Sequence, residues 1–478
     1  MPANYSMFIG VDIGTQGLRV VAMDHTGQVY STVKETFSWT DNREQQDPNV
    51  WWAALVNALQ KLRRELGSMN SPAHHIKAIS VTSTSGTVIP LDRNYEPLHS
   101  ALMYSDKRSL AEAEACSAAS GLSFNSSFGL PKMVWFGNQY PDRAERIHLW
   151  SHAADFIIGR LSGVWGVTDY TNALKSGYDL VNEQWPDYIH SLLHIPAYQL
   201  PQVIPPGRTL GGLSAEVARM TGLPQSIQVV AGMTDGCASQ VASGCAKPGD
   251  WNTTIGTTLV VKGITLKPIQ DPLGRVYNHK HPQGYWMPGG ASNTGADWIT
   301  RDYGSSDLSE LNQEAKKWLP TPWLSYPLVQ TGERFPFLSA AARGFDSDGI
   351  TPQQRFAARL EGVAYIERLS YECIESLSSE KVDSIYTAGG GSLSDVWLNI
   401  RSNILNKPIY KMKHVEGAVG AAIIAASNTE FGSLDEAVRR MVQVDKCFEP
   451  GTLREAYHEN YYRFIDVLKA KGYLESAI

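Results

Sequence analysis

The residues of this chain best suited to chemistry lie in a short turn near its start. Residues 8–24 read FIGVDIGTQGLRVVAMD, with apolar runs on either side of Asp12, Gly14, Thr15 and Gly17. The apolar spacing predicts two β-strands, and the glycines predict the turn between them. Glycines let backbone N–H groups face an anion, and a carboxylate can hold a divalent cation through its water shell. We therefore consider a phosphate site here, with an ordinary polar hairpin as the alternative.

A second turn has the same design. Residues 252–262 read NTTIGTTLVVK, in which Gly256, Thr257 and Thr258 precede an apolar strand. The repetition predicts weak internal symmetry, with two related halves whose glycine-threonine turns face one cleft.

A third glycine loop follows another apolar strand. Gly389, Gly390, Gly391 and Ser392 come directly after residues 385–388. Three consecutive glycines remove side-chain bulk, so a flat adenine ring or a phosphate can approach the backbone. A flexible connector is the alternative interpretation.

Asp235 ends an apolar segment that begins at Ile227, and it has glycines close by on both sides. A carboxylate exposed in this way can accept the proton of a substrate hydroxyl as the oxygen attacks phosphorus. The alternative is an aspartate that only bonds its own turn.

Two further segments carry groups that bind sugars. Residues 81–87, VTSTSGT, place Thr84 and Ser85 beyond a strand, and Asp106 precedes two cations in residues 104–108. Convergent donors and acceptors of this kind bind hydroxyl groups. Solvated loops are the alternative for both segments.

The elements that must position these residues are strands first and helices later. Three consecutive antiparallel strands are expected to open the chain. Thr351 and Gln354 predict a capped helix start, and residues 417–426 predict a small-residue helix able to pack closely on a sheet. Residues 143–161 have helical apolar spacing.

The chain is too long, at 478 residues, for one ordinary core. We expect two domains, 1–245 and 246–478, with a cleft between them. The 42 basic and 48 acidic residues are spread along the chain, which favours a small-molecule partner over nucleic acid or a membrane surface. A homodimer is compatible with this composition.

The five cysteines are odd in number and scattered, with no C-x-x-C pair. This pattern indicates neither a disulfide framework nor a zinc site. No secretory signal pattern opens the sequence, and no apolar run approaches the roughly 18 residues that span a bilayer. We therefore expect a cytoplasmic protein.

Taken together and in this order, these motifs resemble those of the FGGY carbohydrate kinases, members of the actin-like ATPase superfamily. The resemblance runs from Phe8 to about Ser427. It also covers Gln45–Pro48 before two tryptophans, residues 332–344, and Glu416–Ala422, which is similar to the second part of the family's adenosine motif.

The resemblance implies an α/β fold of two ribonuclease-H-like domains with a central cleft. It also implies transfer of the γ-phosphoryl group of ATP, with Mg²⁺, to a sugar hydroxyl. Asp235 would be the catalytic base, and Asp12 would organise the metal. The ATP and phosphate contacts would be Thr15, Gly17, Gly256, Thr257, Thr258, Gly295, Gly389, Gly390, Gly391, Ser392 and Asn399. The sugar contacts would be Thr84, Ser85, Asp106 and Asp235.

Two departures from the family pattern bear on the substrate. Ser83–Gly86 stands where xylulose kinases typically have Gln-Met-His-Gly, and it is closer to the Thr-Ser pattern of ribulose-type kinases. Asn399 stands where many members have Gln. We expect a ketopentose, D-ribulose or D-xylulose, phosphorylated at its terminal hydroxyl to give the 5-phosphate.

Other functions stay open at this stage. A kinase for glycerol or another polyol is one alternative, and a catalytically weak sugar-binding regulatory protein is another. An actin-like or chaperone-like ATPase would need a polymerisation surface or a peptide-binding domain, and the sequence shows no spare domain for either.

Overall fold

The computed structural model describes residues 6–37, 44–68 and 75–474, which form two compact units. The first unit contains the described residues up to Ala242, together with His279–Gly284 and His414–Val442. The second unit contains the rest. This division differs from the predicted domains 1–245 and 246–478, because two short segments of the later sequence pack with the earlier one.

The first unit is built on a six-stranded mixed sheet. Its order is β11-β12-β5-β1-β2-β3, in which β12, β5 and β1 run parallel and the outer strands are antiparallel to their neighbours. Strands β4, β7, β6 and β8 form a smaller sheet, and β9 pairs with β10. The strands are β1 (Met7–Ile13), β2 (Gly17–Asp24), β3 (Val29–Thr36), β4 (Gln45–Gln46), β5 (Ile76–Ser83), β6 (Val88–Leu91), β7 (Ala101–Leu102), β8 (Leu149–His152), β9 (Val167–Asp169), β10 (Gln202–Ile204), β11 (Thr209–Gly212) and β12 (Gln228–Val230).

The second unit repeats this pairing pattern. Its seven-stranded sheet has the order β15-β16-β14-β13-β19-β20-β21, with β13, β19 and β20 parallel and β14, β16 and β21 antiparallel to their neighbours. Strand β17 pairs with β18. The strands are β13 (Asp250–Ile255), β14 (Leu259–Gly263), β15 (Val276–Lys280), β16 (Trp286–Ser292), β17 (Ser325–Tyr326), β18 (Phe345–Asp346), β19 (Ser384–Ala388), β20 (Ile409–Met412) and β21 (Val444–Phe448).

Sixteen α-helices connect and cover the strands of the described residues, and none of them is both long and apolar enough to cross a bilayer. They are α1 (Pro48–Ser68), α2 (Leu110–Ser120), α3 (Gly129–Gln139), α4 (Pro141–Ala144), α5 (Ala153–Ser162), α6 (Tyr170–Leu174), α7 (Asp187–Ser191), α8 (Ala215–Thr221), α9 (Asp235–Ala242), α10 (Asp297–Tyr303), α11 (Leu308–Ala315), α12 (Pro352–Ser378), α13 (Asp395–Leu405), α14 (Gly417–Ala426), α15 (Leu434–Met441) and α16 (Arg454–Ala470).

Apolar periodicity explains the core of each unit. In the first unit, Leu55, Leu59 and Leu62 form one face of α1 and belong to the same buried cluster as the alternating Val11 and Ile13 of β1. Helix α12 begins as predicted: the Thr351 hydroxyl accepts from the Gln354 N–H, and the Gln354 side chain accepts from the Thr351 N–H.

One predicted helical stretch contains a strand. Within residues 143–161, Leu149–His152 pairs with β6 to form β8, and α5 begins only at Ala153. His152 ends the strand and caps the helix through a reciprocal capping box with Asp155. The strand and the helix are adjacent in the sequence, and both contribute buried apolar residues. The spacing of these residues therefore resembles that of one continuous helix.

Helix α14 packs against β1 of the first unit at very short range. A Cβ atom placed on Gly10 would lie 1.8 Å from the carbonyl oxygen of Ala418. Gly420 approaches α9 in the same way, with 1.9 Å from its hypothetical Cβ to the carbonyl oxygen of Ala238. Only glycine allows both contacts, so the prediction that residues 417–426 pack closely on a sheet is confirmed.

Candidate active site

The opening turn of the first unit is fixed by its own backbone and by one amide side chain. Strands β1 and β2 pair up to Ile13 and Leu18, and the Gly14 N–H donates to the Gly17 carbonyl at 2.9 Å. The Gln46 side chain donates to the Thr15 carbonyl at 3.2 Å. Trp51 of α1 in turn donates its indole N–H to Gln46 at 2.8 Å. These hydrogen bonds fix the conformation of the turn that contains Thr15 and Gly17.

Asp12 is the second-last residue of β1 and is half-buried. A Cβ atom on Gly417, the first residue of α14, would lie 2.8 Å from the Asp12 carboxylate, so the carboxylate packs against the start of that helix. Burial raises the pKa of Asp12 to about 6, the negative charge of Asp235 adds to the rise, and Arg19 opposes it. Asp235 is thus close enough to Asp12 to influence its ionisation.

Asp235 is the first residue of α9, and the Gly236 N–H donates to its carboxylate at 2.6 Å. The segment before it runs along the end of β5: Thr234 forms a parallel bridge with Ser83, and the Thr82 hydroxyl donates to the Met233 carbonyl at 2.7 Å. The structure therefore brings Asp235 next to the strand that leads into the predicted sugar loop.

The sugar loop contains Thr84 and Ser85, directly after β5. The Thr84 hydroxyl lies 3.1 Å from the hydroxyl of Thr87. Within the described part of the chain, the buried Ser85 hydroxyl has no hydrogen-bond partner. A buried hydroxyl without a partner is costly, so this group is well suited to accept or donate a bond to a ligand.

Asp106 is buried, but Arg108 occupies its carboxylate. Arg108 donates from Nε at 3.0 Å and from Nη2 at 2.5 Å, and its guanidinium lies 4.2 Å from the centre of the Trp135 ring. Asp106 therefore orients Arg108, one of the two cations that follow it in the sequence. A sugar contact by Asp106 stays a prediction.

The second unit contains the other predicted phosphate turn. The Gly256 N–H donates to the Thr258 carbonyl at 3.0 Å, which closes a three-residue turn between β13 and β14. Gly295 packs on this turn, since a Cβ atom there would lie 2.4 Å from the Thr257 carbonyl oxygen. Gly256, Thr257, Thr258 and Gly295 are thus brought together.

A cavity of about 670 Å³ lies beside the triple-glycine loop of the second unit. Gly390 and Gly391 line it from a short 3₁₀ turn, and the start of α13 continues the wall. The volume is in the range of small-ligand sites. Gly389 and Ser392 do not line it; the Ser392 hydroxyl instead donates to the Gly389 carbonyl at 2.7 Å and so holds the loop.

We call this cavity the nucleotide-sized cavity. No sequence motif predicts its opposite wall. It comes from α10, α11 and the first turns of α12, which have no glycine motif. Asn312 of α11 is tied to the loop because it accepts from the Ser394 hydroxyl at 2.6 Å. The lining side chains from these helices, and from the residue that follows α11, include Ile299, Thr300, Leu308, Asn312, Lys316, Phe356 and Leu360.

One predicted nucleotide residue does not line this cavity, and one predicted stretch belongs to the other unit. Asn399 is exposed on α13, does not line the cavity, and donates its amide to the Asp395 carbonyl at 3.0 Å. The stretch Glu416–Ala422, which the resemblance groups with the adenosine motif, belongs to the first unit, where Gly417 contacts Asp12.

No group of three or more His, Cys, Asp or Glu side chains in the described ranges is arranged to hold a metal. Asp12 is therefore a candidate metal ligand only because its carboxylate oxygens are suitable for Mg²⁺. Mg²⁺ commonly binds to proteins through one or two carboxylates, with water and phosphate oxygens completing its shell. The pair Asp12 and Asp235 fits that requirement.

Known proteins resemble this chain over most of its length. Residues 7–242 match the N-terminal domain of the FGGY family of carbohydrate kinases, and residues 251–429 match its C-terminal domain. A xylulose kinase from Staphylococcus epidermidis is 25% identical over 96% of each chain. A gluconokinase from Bacillus licheniformis is 24% identical over 90% of this chain and 88% of its own.

Solved structures show the same fold. A structure described as a xyloylose kinase from Brucella ovis has a TM-score of 0.85 at 24% identity, and covers 98% of this chain and 100% of its own. Plasmodium falciparum glycerol kinase with ADP has a TM-score of 0.85 at 19% identity, over 98% of each chain. The predicted two-domain α/β fold is confirmed. The chain belongs to the FGGY family of carbohydrate kinases, and it is therefore a sugar kinase whose phosphoryl donor is ATP.

Proposed function

We propose that this kinase phosphorylates a ketopentose, D-ribulose or D-xylulose, on its terminal hydroxyl. The observation that carries the proposal is the position of Asp235 at the start of α9, beside the end of β5 and within electrostatic range of Asp12. A base next to a hydroxyl-lined loop and a second carboxylate is the arrangement that phosphoryl transfer to an alcohol needs.

Each residue has a defined task in this proposal. Asp235 accepts the proton of the substrate hydroxyl while that oxygen attacks the γ-phosphorus. Asp12 would hold Mg²⁺ through its water shell, and the ion would supply positive charge against the phosphates. The turn at Thr15 and Gly17 presents backbone N–H groups to the phosphates.

The second unit would bind the rest of the nucleotide. The turn at Gly256–Thr258 contacts phosphate oxygens, and Gly389–Ser392 shapes the wall against which the adenosine rests. Asn399 stays a weaker part of this assignment, because its exposed amide is bonded to its own helix.

Two observations bear on which sugar is used. Several curated relatives are xylulose kinases, while Ser83–Gly86 departs from the pattern typical of that activity. Within the proposal, the loop donors Thr84 and Ser85 select the sugar, and the Ser85 hydroxyl is the group most in need of a partner. We also propose a cytoplasmic location, which fits five free cysteines.

The direct test combines a substrate screen with one substitution. ADP release is measured with D-ribulose, L-ribulose, D-xylulose, D-gluconate and glycerol. We expect a ketopentose to give the highest kcat/KM, and Asp235→Ala to lower kcat by about 10²–10⁴-fold, the usual contribution of a general base. Asp187→Ala is the matched control, because Asp187 is also the first residue of a helix in the first unit but is exposed.

Three outcomes would change the proposal. If glycerol or gluconate clearly exceeds the ketopentoses, the substrate class is wrong. If no sugar stimulates ADP release although sugars bind, the chain is a binding protein. If Asp235→Ala keeps wild-type turnover, the base has been misassigned.

A further inference from the structure

A second cavity of the second unit lies outside the proposed active site. It has a volume of about 390 Å³, and three arginines line it, Arg301, Arg343 and Arg359, together with Asp346. The segment that follows β17 and the segment around β18 form the remaining walls. We call it the arginine cavity.

Ion pairs hold the floor of the arginine cavity in place. Asp302 accepts two bonds of 2.7 Å from Arg301 and also pairs with Arg359. Asp346 accepts from Arg359 at 2.7 and 3.0 Å, and Arg355 lies 3.5 Å from it. These contacts hold the pKa of each aspartate below its usual value, so both carboxylates stay ionised.

The charges around the arginine cavity do not balance. Arg301, Arg343, Arg355 and Arg359 bring four positive charges, whereas Asp302, Asp346 and Asp297, whose charge also acts on Arg301, bring three negative ones. One positive charge is therefore left over, which favours an anionic ligand. A surplus held by fixed ion pairs gives a preorganised anion site.

Arg343 is the free donor of the group. Among the residues that the structure describes, none forms a hydrogen bond or an ion pair with its guanidinium. The guanidinium fork matches two oxygens of one phosphoryl group, which a lysine ammonium cannot reproduce. Arg301 adds a second donor, because its Nη1 is not among the atoms that bond Asp302.

The arginine cavity shares two helices with the nucleotide-sized cavity. On α10, Ile299 and Thr300 line the nucleotide-sized cavity and Arg301 lines the arginine cavity. On α12, Phe356 and Leu360 line the first, and Arg359 lines the second. A ligand that binds Arg301 and Arg359 therefore contacts α10 and α12, the helices that also line the nucleotide-sized cavity.

We propose that the arginine cavity binds the phosphoryl group of a phosphate monoester, such as a sugar phosphate, and that this ligand changes the affinity for the nucleotide. The ligand acts as an effector and takes no part in the transfer itself. The chemistry of recognition is that of a dianion held by Arg343 and Arg301.

The test uses ribose 5-phosphate as the charged probe and ribose as its neutral match. Calorimetric titration of the full chain, with ADP and Mg²⁺ saturating, should show saturable binding of ribose 5-phosphate. Arg343→Ala should weaken that binding at least tenfold, and Arg343→Lys should fall between the two. Arg454→Ala is the control, since Arg454 is an exposed arginine of the same unit that does not line the cavity.

The second measurement addresses the effector role. Saturating ribose 5-phosphate should change the Kd for ADP by about fivefold or more, the lower range of known couplings, and Arg343→Ala should abolish the change. Equal binding of the probe to wild type and Arg343→Ala would overturn the site. Binding with an unchanged Kd for ADP would overturn the effector role.

These outcomes are independent of the proposed kinase reaction. The initial rate of sugar-dependent ADP release, measured before product sugar phosphate accumulates, should be the same in Arg343→Ala and in wild type. A loss of that activity in Arg343→Ala at unchanged circular dichroism would also count against a purely regulatory site.

Discussion

The two units carry a similar hairpin at the same place in their sheets, but only the first has an acid directly before its turn. Asp12 and Thr254 are each the second-last residue of the first strand, and each hairpin turns at a glycine-threonine pair. The first turn has four residues between Ile13 and Leu18, and the second has three between Ile255 and Leu259. The two hairpins therefore share their strand pairing and a glycine-threonine turn, while the side chain before the turn differs.

The difference separates two tasks that one motif would otherwise combine. Asp12 lies near a second acid and has a raised pKa, whereas the Thr254 hydroxyl donates to its neighbour Asn252 at 2.9 Å. The first hairpin can take part in cation and proton chemistry. At its turn, residues 254–258, the second hairpin can offer only neutral backbone and hydroxyl groups to an anion.

The largest expected effect comes from removing the acid that distinguishes the hairpins. Asp12→Asn should lower kcat/KM at least about 100-fold, because a preorganised charge at the phosphates is lost. Thr254→Val, the matched change in the second hairpin, should cost far less. Steady-state kinetics with the best sugar compare the two, and an equal loss would show that the hairpins do not differ in function.

The next effect concerns stability. Gly10→Ala should lower the free energy of unfolding by about 3 kcal/mol, the upper end for overpacking, because the new methyl group would meet the Ala418 backbone at 1.8 Å. Gly137→Ala is the control, since a Cβ atom there meets nothing within 4 Å. Urea denaturation gives both values, and an unchanged midpoint for Gly10→Ala would refute the close packing of α14 on β1.

The raised pKa of Asp12 makes its own prediction about pH. The folded pKa of about 6 exceeds the ordinary 3.8, so the wild-type chain loses stability as pH rises through that window. At pH 8, without metal, Asp12→Asn should be more stable than wild type by about 3 kcal/mol, and below pH 3.8 the difference should vanish. Thermal unfolding at pH 4 and 8 measures it.

The matched variant sharpens this test. Thr254→Val changes a residue without charge, so its stability relative to wild type should be independent of pH. If Asp12→Asn behaves in the same way, the acid does not experience the electrostatic environment described above.

A smaller effect is expected in the nucleotide-sized cavity. Gly390 lines it, and a Cβ atom there meets nothing within 4 Å, so Gly390→Val should fold normally and fill space that adenosine needs. The Kd for ADP should rise about tenfold, or about 1.4 kcal/mol. Calorimetry measures the Kd, and an unchanged value would move the adenosine site elsewhere.

The smallest effect is expected at Asn399. Its side chain is exposed and bonded to its own helix, so Asn399→Ala should change the Kd for ADP by less than about twofold, under about 0.4 kcal/mol. A tenfold loss in the same titration would restore Asn399 to the nucleotide contacts that the family resemblance implies.

The sequence predicted what depends on local patterns. The opening strands, the capping box at Thr351 and the helix 417–426 all follow from residue spacing and turn chemistry over a few positions. The glycine turns of both hairpins were found for the same reason. Local rules also grouped the motifs in an order that pointed to the family.

Contacts between distant segments were beyond such rules. Nothing in the spacing of residues 417–426 says that they pack on β1, about 400 positions earlier, because any flat surface of small side chains would accept them. The cavity wall formed by Phe356 and Leu360 is equally dependent on tertiary structure. Their side chains have ordinary types, so no motif announces them.

The packing of α14 on β1 has a consequence for synthesis. The first unit lacks a wall of its core until residue 426 has left the ribosome, by which time most of the second unit has emerged. The sheet of the first unit is synthesised first, and Gly10 of β1 stays uncovered until α14 has been synthesised. Folding from the amino terminus cannot be completed domain by domain in this chain.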